Sequence, residues 1–316
     1  MTRVNAIQPI PPAQRGLSLI ELLVAVTIGG LLIFGATQVY VDSKRTYETN
    51  ESAARLQETA RYAMSVLEPD IRMSNYWGLV KGAGLITGQA SPEETQVAGD
   101  PTGCGTNFTR HLLVSLNGTN GSTGFPCTSV AAETPVTTSD TMTVRRASVA
   151  PSSGGATRLK ICSTRVAGTV LTDSSTCTAP PAGQINDLIV NTYYISPNST
   201  GRAGYPALRR VVLVSGPSFQ DEEIIPGIED MQIQFGIDPT GTSGRATRYV
   251  NPDDLNDGEQ VVSVRIWLLV RAENEEVGFR DERTYSYADR ADYQPNDGFR
   301  RLLVSRTIQV RNALGT

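Results

Sequence analysis

Few residues in this 316-residue chain are of a kind that does chemistry: four cysteines, one histidine, a short acidic run and one carboxylate set in an apolar stretch. The cysteines, Cys104, Cys127, Cys162 and Cys177, lie in Gly- and Thr-rich sequence. Zinc would need thiols at close spacing or histidines beside them, but no CxxC occurs and His111 is not spaced with the cysteines as a ligand set. Disulfides in an oxidising compartment fit better. Four cysteines permit three pairings. Cys104–Cys127 and Cys162–Cys177 close the shortest loops and are the favoured set. His111 precedes "LLVSL" and reads as a surface or strand-start residue. The acidic run "NPDDLNDGE" suggests calcium but fails the EF-hand spacing. With Asp253 as first ligand, Leu255 falls third and Val264 twelfth, so an acidic turn is expected. No GxSxG, HExxH, P-loop or dinucleotide fingerprint is present. Neither an enzyme, a metal site nor a cofactor is expected.

The isolated carboxylate is Glu21. It sits in "RGLSLIELLVAVTIGGLLIFGATQVYVDSK", which is apolar from Leu17 to Val41 apart from that residue. About 20 helical residues cover a hydrocarbon core of roughly 30 Å, so the run is long enough to span a bilayer. An ordinary secretory signal shares the positive start, here Arg3 and Arg15, but its apolar core is roughly 7–15 residues and ends at a cleavage site on the far side. The longer run here is expected to stay in the mature protein. Arg15 immediately before it holds the N-terminus in the cytoplasm and sends the remainder outward. A carboxylate within such a helix costs about 2.5–3.5 kcal/mol on insertion scales and is usually functional where it persists.

The elements that must position these residues follow from period. Beyond the apolar run, Leu56, Ala60, Ala63, Leu67 and Ile71 recur at three- and four-residue steps, which predicts one long helix from Leu17 to about Asn75. Pro69 is expected to kink or interrupt it. From Gly78 to Gly183, short apolar runs such as "HLLVSL", "TMTV" and "RLKIC" predict short strands joined by long loops. After Ile185 the strand signals are strong, and Met231, Ile233, Phe235 and Ile237 share one face, as do Val262, Val264, Ile266, Leu268 and Val270. "PNDG" at Pro295–Gly298 and "NDG" at Asn256–Gly258 mark turns. The fold class is α+β: a long N-terminal helix packed on an antiparallel sheet with loop-rich insertions. The net charge of −4 gives no bulk attraction to nucleic acid. Arg209–Arg210, Arg300–Arg301, "EDMQ" and "RAENEE" read as solvated strand ends.

The stretch "RGLSLIELLVAVTIGGLLIFGA" resembles the class III signal of type IV pilins and their pseudopilin relatives. The resemblance implies cleavage between Gly16 and Leu17 by a prepilin peptidase, N-methylation of Leu17, and an assembly role for Glu21, the fifth residue of the mature chain. Many major pilins have a proline midway along this helix. Here none occurs between Leu17 and Glu68, and Gly29, Gly30 and Gly35 are the candidates for comparable looseness. "EIIPGIEDMQIQFGID", "VVSVRIWLLVRAE" and "RRLLVSRTIQVRN" look like the C-terminal region of PilW-type minor pilins, with an elbow before the mid-sheet strand and a closing strand ending in Arg-Asn.

The resemblance implies a leader over 1–16, a helix over 17–75 with its membrane part at 17–41 and its amphipathic part at 42–75, and a head over 76–316. It also implies a minor pilin inserted in the inner membrane with its head in the periplasm, later carried in the fibre, where it primes assembly at or near the tip. Its partners would be other minor pilins, the major pilin, the assembly platform, the prepilin peptidase and a tip adhesin. The alternatives are a J-type minor pseudopilin of type II secretion, and a membrane-anchored adhesin or DNA-binding module.

Overall fold

The computed structural model describes residues 16, 18–152, 158–172, 177, 183–256 and 258–313. The chain divides into two compact units, Met1–Glu51 and Ser52–Thr316, and the helix α1 (Leu19–Arg72, 54 residues) contributes to both. It ends at Arg72, close to the expected Asn75, and runs through Pro69 rather than stopping there. Proline removes one donor from the last turns. That end keeps an i→i−4 bond from Met73 N–H to the Pro69 carbonyl at 3.0 Å, and from outside Arg311 N–H donates to the Arg72 carbonyl at 3.0 Å. Asn75, in the left-handed region at φ 61°, donates from Nδ2 to the Asn312 carbonyl at 2.8 Å. Arg311 and Asn312, just after the closing strand, thus finish the helix.

The strands are β1 (Ile86–Thr87), β2 (Leu116–Thr119), β3 (Thr141–Pro151), β4 (Lys160–Ser163), β5 (Gly168–Leu171), β6 (Gln184–Ser196), β7 (Ala207–Val214) and β8 (Ser218–Pro226), which form an eight-stranded sheet. A second sheet holds β9 (Ile228–Asp238), β10 (Arg248–Val250) and β11 (Gln260–Arg271). The hairpin strands β12 (Tyr285–Tyr287) and β13 (Arg290–Tyr293) follow, and β14 (Arg301–Gln309) returns to pair with β11. Every pairing is antiparallel except β1 with β5. β6 organises the larger sheet: β3 runs along one edge, while the other edge takes β4 at its start and β7 at its end. The chain passes between sheets at Gly227, whose φ is +91° and whose missing Cβ would lie 2.8 Å from the Tyr205 hydroxyl. Only glycine fits that elbow without strain.

The larger sheet has a core on each face. On one side, Leu56, Ala60, Ala63, Met64, Leu67 and Ile71 of α1 join Tyr193 and Ile195 of β6 and the two apolar faces of β9 and β11 expected from sequence. On the other, Val190 and Tyr194 of β6, Ile161 of β4 and Val211 of β7 are covered by Trp77, Phe108, Leu112 and Phe125 from the loop-rich stretch. β6 alternates between the two cores at Tyr193 and Tyr194, as a strand must.

Three expectations are corrected. "HLLVSL" is not a strand before Leu116. The carbonyl of Val114 within it, and that of Phe108 shortly before it, accept from the buried Arg145 side chain at 3.0 and 2.9 Å, so a guanidinium takes the place of a partner strand. The paired arginines are not solvated ends. Arg209 bonds Asp221 and Glu223 and Arg210 bonds Glu222 across β7 and β8, while the Arg301 side chain is fully buried among Glu229, Asp297 and Asp281. "EDMQ" is likewise buried in part: Asp230 accepts from the Tyr287 hydroxyl at 2.6 Å, beneath the β12–β13 hairpin. Within "RAENEE" the stretch Glu273 to Glu275 is exposed, whereas Arg271 is half-buried and stacks on Phe299.

One carboxylate ties the helix to the larger sheet. Asp70 Oδ1 accepts from Arg146 Nε and Nη2 at 2.9 and 2.6 Å, and Oδ2 accepts from the Tyr193 hydroxyl at 2.6 Å and from Asn191 Nδ2. Asp70 is 4% exposed. Its neighbours push the Tyr193 phenol well above its usual range, first through burial and then through the Asp70 charge. Removing one partner of a buried charge network costs about 3–5 kcal/mol because the others remain desolvated and unpaired. Asp70→Ala should lower unfolding stability by that amount in urea titrations of the full chain in detergent, followed by fluorescence of the buried Trp77. Glu48→Ala, on an exposed helix position, should change it by less than about 0.5 kcal/mol. Equal effects of the two would show that Asp70 does not anchor the helix.

Candidate functional site

The sequence places its candidate functional residues at the start of α1. Gly16 is described and exposed, while Leu17 and Arg15 lie outside the described residues. Ser18 caps the helix: its Oγ accepts from Glu21 N–H at 3.2 Å and its carbonyl from Leu22 N–H at 3.1 Å. Sequence reasoning passed over Ser18 as part of the apolar run, although Ser-x-x-Glu before an apolar stretch is a capping-box spacing. Glu21 therefore occupies the first turn, where the helix dipole favours negative charge by roughly 0.3–1 kcal/mol. That offsets part, and only part, of the insertion cost of a carboxylate.

From Leu19 to Val41 the helix offers apolar side chains on every face. Leu19, Ile20, Leu31, Leu32, Ile33, Phe34 and Val39 are all more than 65% exposed. It is the one helix among the described residues long and apolar enough to cross a membrane, and its apolar window carries no buried residue. Its threonine hydroxyls are satisfied internally, Thr27 donating to the Val24 carbonyl at 2.9 Å and Thr37 to that of Ile33 at 2.8 Å. Such back-bonding leaves neither threonine hydroxyl as a free donor facing an apolar surrounding. Gly29, Gly30 and Gly35 meet nothing within 4 Å, and the helix is unbroken across them.

The other candidates hold no catalytic geometry. His111 follows the short helical turn Phe108–Arg110 and is half-buried. In the acidic run, Asp253 accepts from Asn120 N–H at 3.1 Å, and Glu259 accepts from Asn256 N–H and pairs with Arg248. These bonds, the Asn256 backbone first, hold the Glu259 carboxyl below its ordinary range. Asp257 lies outside the described residues. Among the described residues no three His, Cys, Asp or Glu side chains converge to hold a metal. The cysteines are joined as Cys104–Cys127 and Cys162–Cys177. The first bond lies in the core under the loop-rich stretch, both cysteines almost fully buried, and Cys162 belongs to β4.

Residues 192–312 match the family model Type IV Pilus-assembly protein W, and residues 11–37 match that of the prokaryotic N-terminal methylation motif. Over these two stretches the chain is similar to type IV pilin-like proteins of the PilW type. The PilW match begins within β6 and takes in the Gly227 elbow, both faces of the smaller sheet and the Arg311–Asn312 cap. The methylation-motif match takes in Gly16, Ser18, Glu21 and the glycine-bearing part of α1. A solved type IV-like pilin from Thermus thermophilus is similar at 14% identity over 82% of this chain and 97% of that one, with a TM-score of 0.38, too distant to carry an assignment. No curated relative matches the chain.

Peptide mapping without reduction should recover Cys104 linked to Cys127 and Cys162 linked to Cys177. The double variant Cys104→Ser/Cys127→Ser should lose about 2–4 kcal/mol of stability, since the bond closes a loop of many residues in the unfolded chain. Free thiols throughout, or crossed pairs, would contradict this arrangement.

Proposed function

We propose that this chain is a minor subunit of the type IV pilus that primes fibre assembly at or near the tip. In this reading residues 1–16 are a leader removed between Gly16 and Leu17 by prepilin peptidase, which also methylates Leu17. Residues 17–41 anchor the protein in the inner membrane, residues 42–75 form the amphipathic part of the helix, and the head over 76–316 faces the periplasm until the subunit enters the fibre. The observation that carries the reading is the start of α1, apolar on every face, with one carboxylate in its first turn and a match to the methylation motif.

Apolar contacts among helices of this kind give little axial registry, because they are nearly interchangeable with contacts to lipid. An ionised Glu21 does give it. In a bundle of low effective dielectric it attracts the positive N-terminal amine of a neighbouring subunit far more strongly than in water. Other minor pilins and the major pilin are the neighbours that supply such helices, the assembly platform extracts them, and a tip adhesin is the cargo that a priming set supports.

The mature protein should begin at N-methylated Leu17 when its N-terminal peptide is analysed by mass spectrometry. Retention of residues 1–16, or cleavage beyond Val41, would remove the reading. Deleting the chain should abolish surface pili while leaving type II secretion intact. Lost secretion with normal pili would assign it to the secretion system instead, and normal pili with lost adhesion or DNA uptake would make it an accessory binding module.

A further inference from the structure

Beside the Cys104–Cys127 bond, the loop-rich stretch and β2–β3 enclose a half-open cavity of about 240 Å³. Among its lining residues are Arg145, Asn117, Phe108, Thr106 and His111, and none is an aspartate or glutamate. Arg145 is 1% exposed and lies over the Phe108 ring at 4.4 Å. Its Nε donates to the Phe108 carbonyl at 2.9 Å, and Nη1 donates to the Val114 carbonyl at 3.0 Å and to Asn117 Oδ1 at 2.8 Å. Nη2 has no hydrogen-bond partner among the described residues, so one arm of a planar donor fork is uncommitted.

The neighbouring amide is fixed by the same logic. A guanidinium only donates, so Asn117 must turn its oxygen towards Arg145 and keep its NH2 as a donor. That Nδ2 also has no partner among the described residues. Two NH2 groups, on side chains bonded to each other through Arg145 Nη1 and Asn117 Oδ1, therefore border one cavity with nothing to accept from them. No hydrogen bond joins them to the threonine hydroxyls nearby, which pair as Thr119 with Thr141 and Thr143 with Thr192.

The charge is unbalanced in the same sense. Asp100 is the carboxylate whose field acts on Arg145, yet its ion pair is with Arg110, 3.4 Å away. Two buried guanidinium groups thus share one carboxylate. Burial pushes the Arg145 pKa down to about 9, which leaves it charged at neutral pH. A buried cation without a direct counter-charge is costly, and an anion that fills the cavity relieves that cost.

We propose that this cavity binds the carboxylate of a small ligand, with Arg145 Nη2 and Asn117 Nδ2 as the donors that hold it. At about 30 Å³ per water the space equals roughly eight waters, enough for one acidic sugar ring or one carboxyl-terminal residue but not for a longer segment. A guanidinium and an adjacent amide can each give one donor to the two oxygens of a carboxylate. Acidic polysaccharide and the C-terminus of another protein chain are the two sources of that chemistry.

The test is calorimetric titration of the full chain in detergent with sodium glucuronate, N-acetylalanine and glucose. At least one of the two carboxylates should bind, and glucose should not. Asn117→Asp, which sets a carboxylate in the position of the amide, and Thr106→Glu, which adds one at the exposed rim, should each weaken the binding about tenfold or more, a loss of at least about 1.4 kcal/mol. Thermal midpoints of both variants, measured alongside, identify any that fails to fold, and the other then decides. Binding of glucuronate alone points to an acidic sugar, binding of N-acetylalanine alone to a chain terminus, and binding of both to the carboxylate itself. No binding of either carboxylate, glucose binding as well as glucuronate, or full affinity in a folded variant would overturn the proposal.

Discussion

A helix that is apolar on every face from Leu19 to Val41 cannot be accommodated in water, and this constraint organises the rest of the account. Lipid satisfies it, and so does a bundle of similar helices. Moving from one to the other changes little in apolar contact energy, since lipid tails are as apolar as leucine. What can distinguish the two surroundings is therefore polar. The apolar stretch has little of that kind: Thr27 and Thr37 are committed to their own helix, and Glu21 is its single charged side chain.

The rest of α1 obeys a different rule. Its buried stripe from Leu56 to Ile71 faces an apolar core, and its polar contacts are specific: Asp70 to Arg146, Asn191 and Tyr193, and Glu68 to Arg72 and Arg306. The stripe supplies most of the affinity for the head, at about 1.5–3 kcal/mol for each fully buried large side chain. The Asp70 bonds supply orientation, because four donors from two strands cannot be met by a rotated helix. Arg311 and Asn312 then close the helix end, which gives a physical sense to the Arg-Asn ending of the last strand.

Features set by period were legible in the sequence. The three- and four-residue steps of α1 and the alternation in β9 and β11 each gave the correct buried face, because each is a local repeat that burial enforces along its whole length. Features set by a distant partner were not. Nothing near "HLLVSL" announces that Arg145 would take the Val114 carbonyl, with that of Phe108 before it, and turn an apolar run into a loop. β8, with "DEE" at its centre, looks too acidic for a strand until its register places Glu222 and Glu223 opposite Arg210 and Arg209. At the candidate site Gly16, Leu17 and Glu21 stood out as a motif. Ser18 did not, since a small residue at the edge of an apolar run looks like part of it, although its spacing to Glu21 was readable as a cap.

The central claim is that Glu21 is retained for packing among helices rather than for insertion or folding. Glu21→Ala and Glu21→Val both lower the cost of insertion and leave the head untouched. Quantitative blotting of membrane and sheared-pilus fractions from strains carrying each variant, with pilus counts, measures the claim most directly. The account predicts normal amounts of mature protein in the membrane and at least a severalfold loss from the pilus fraction or from pilus number. Normal incorporation together with normal piliation in both variants would contradict it and leave Glu21 as the acid of a helix cap.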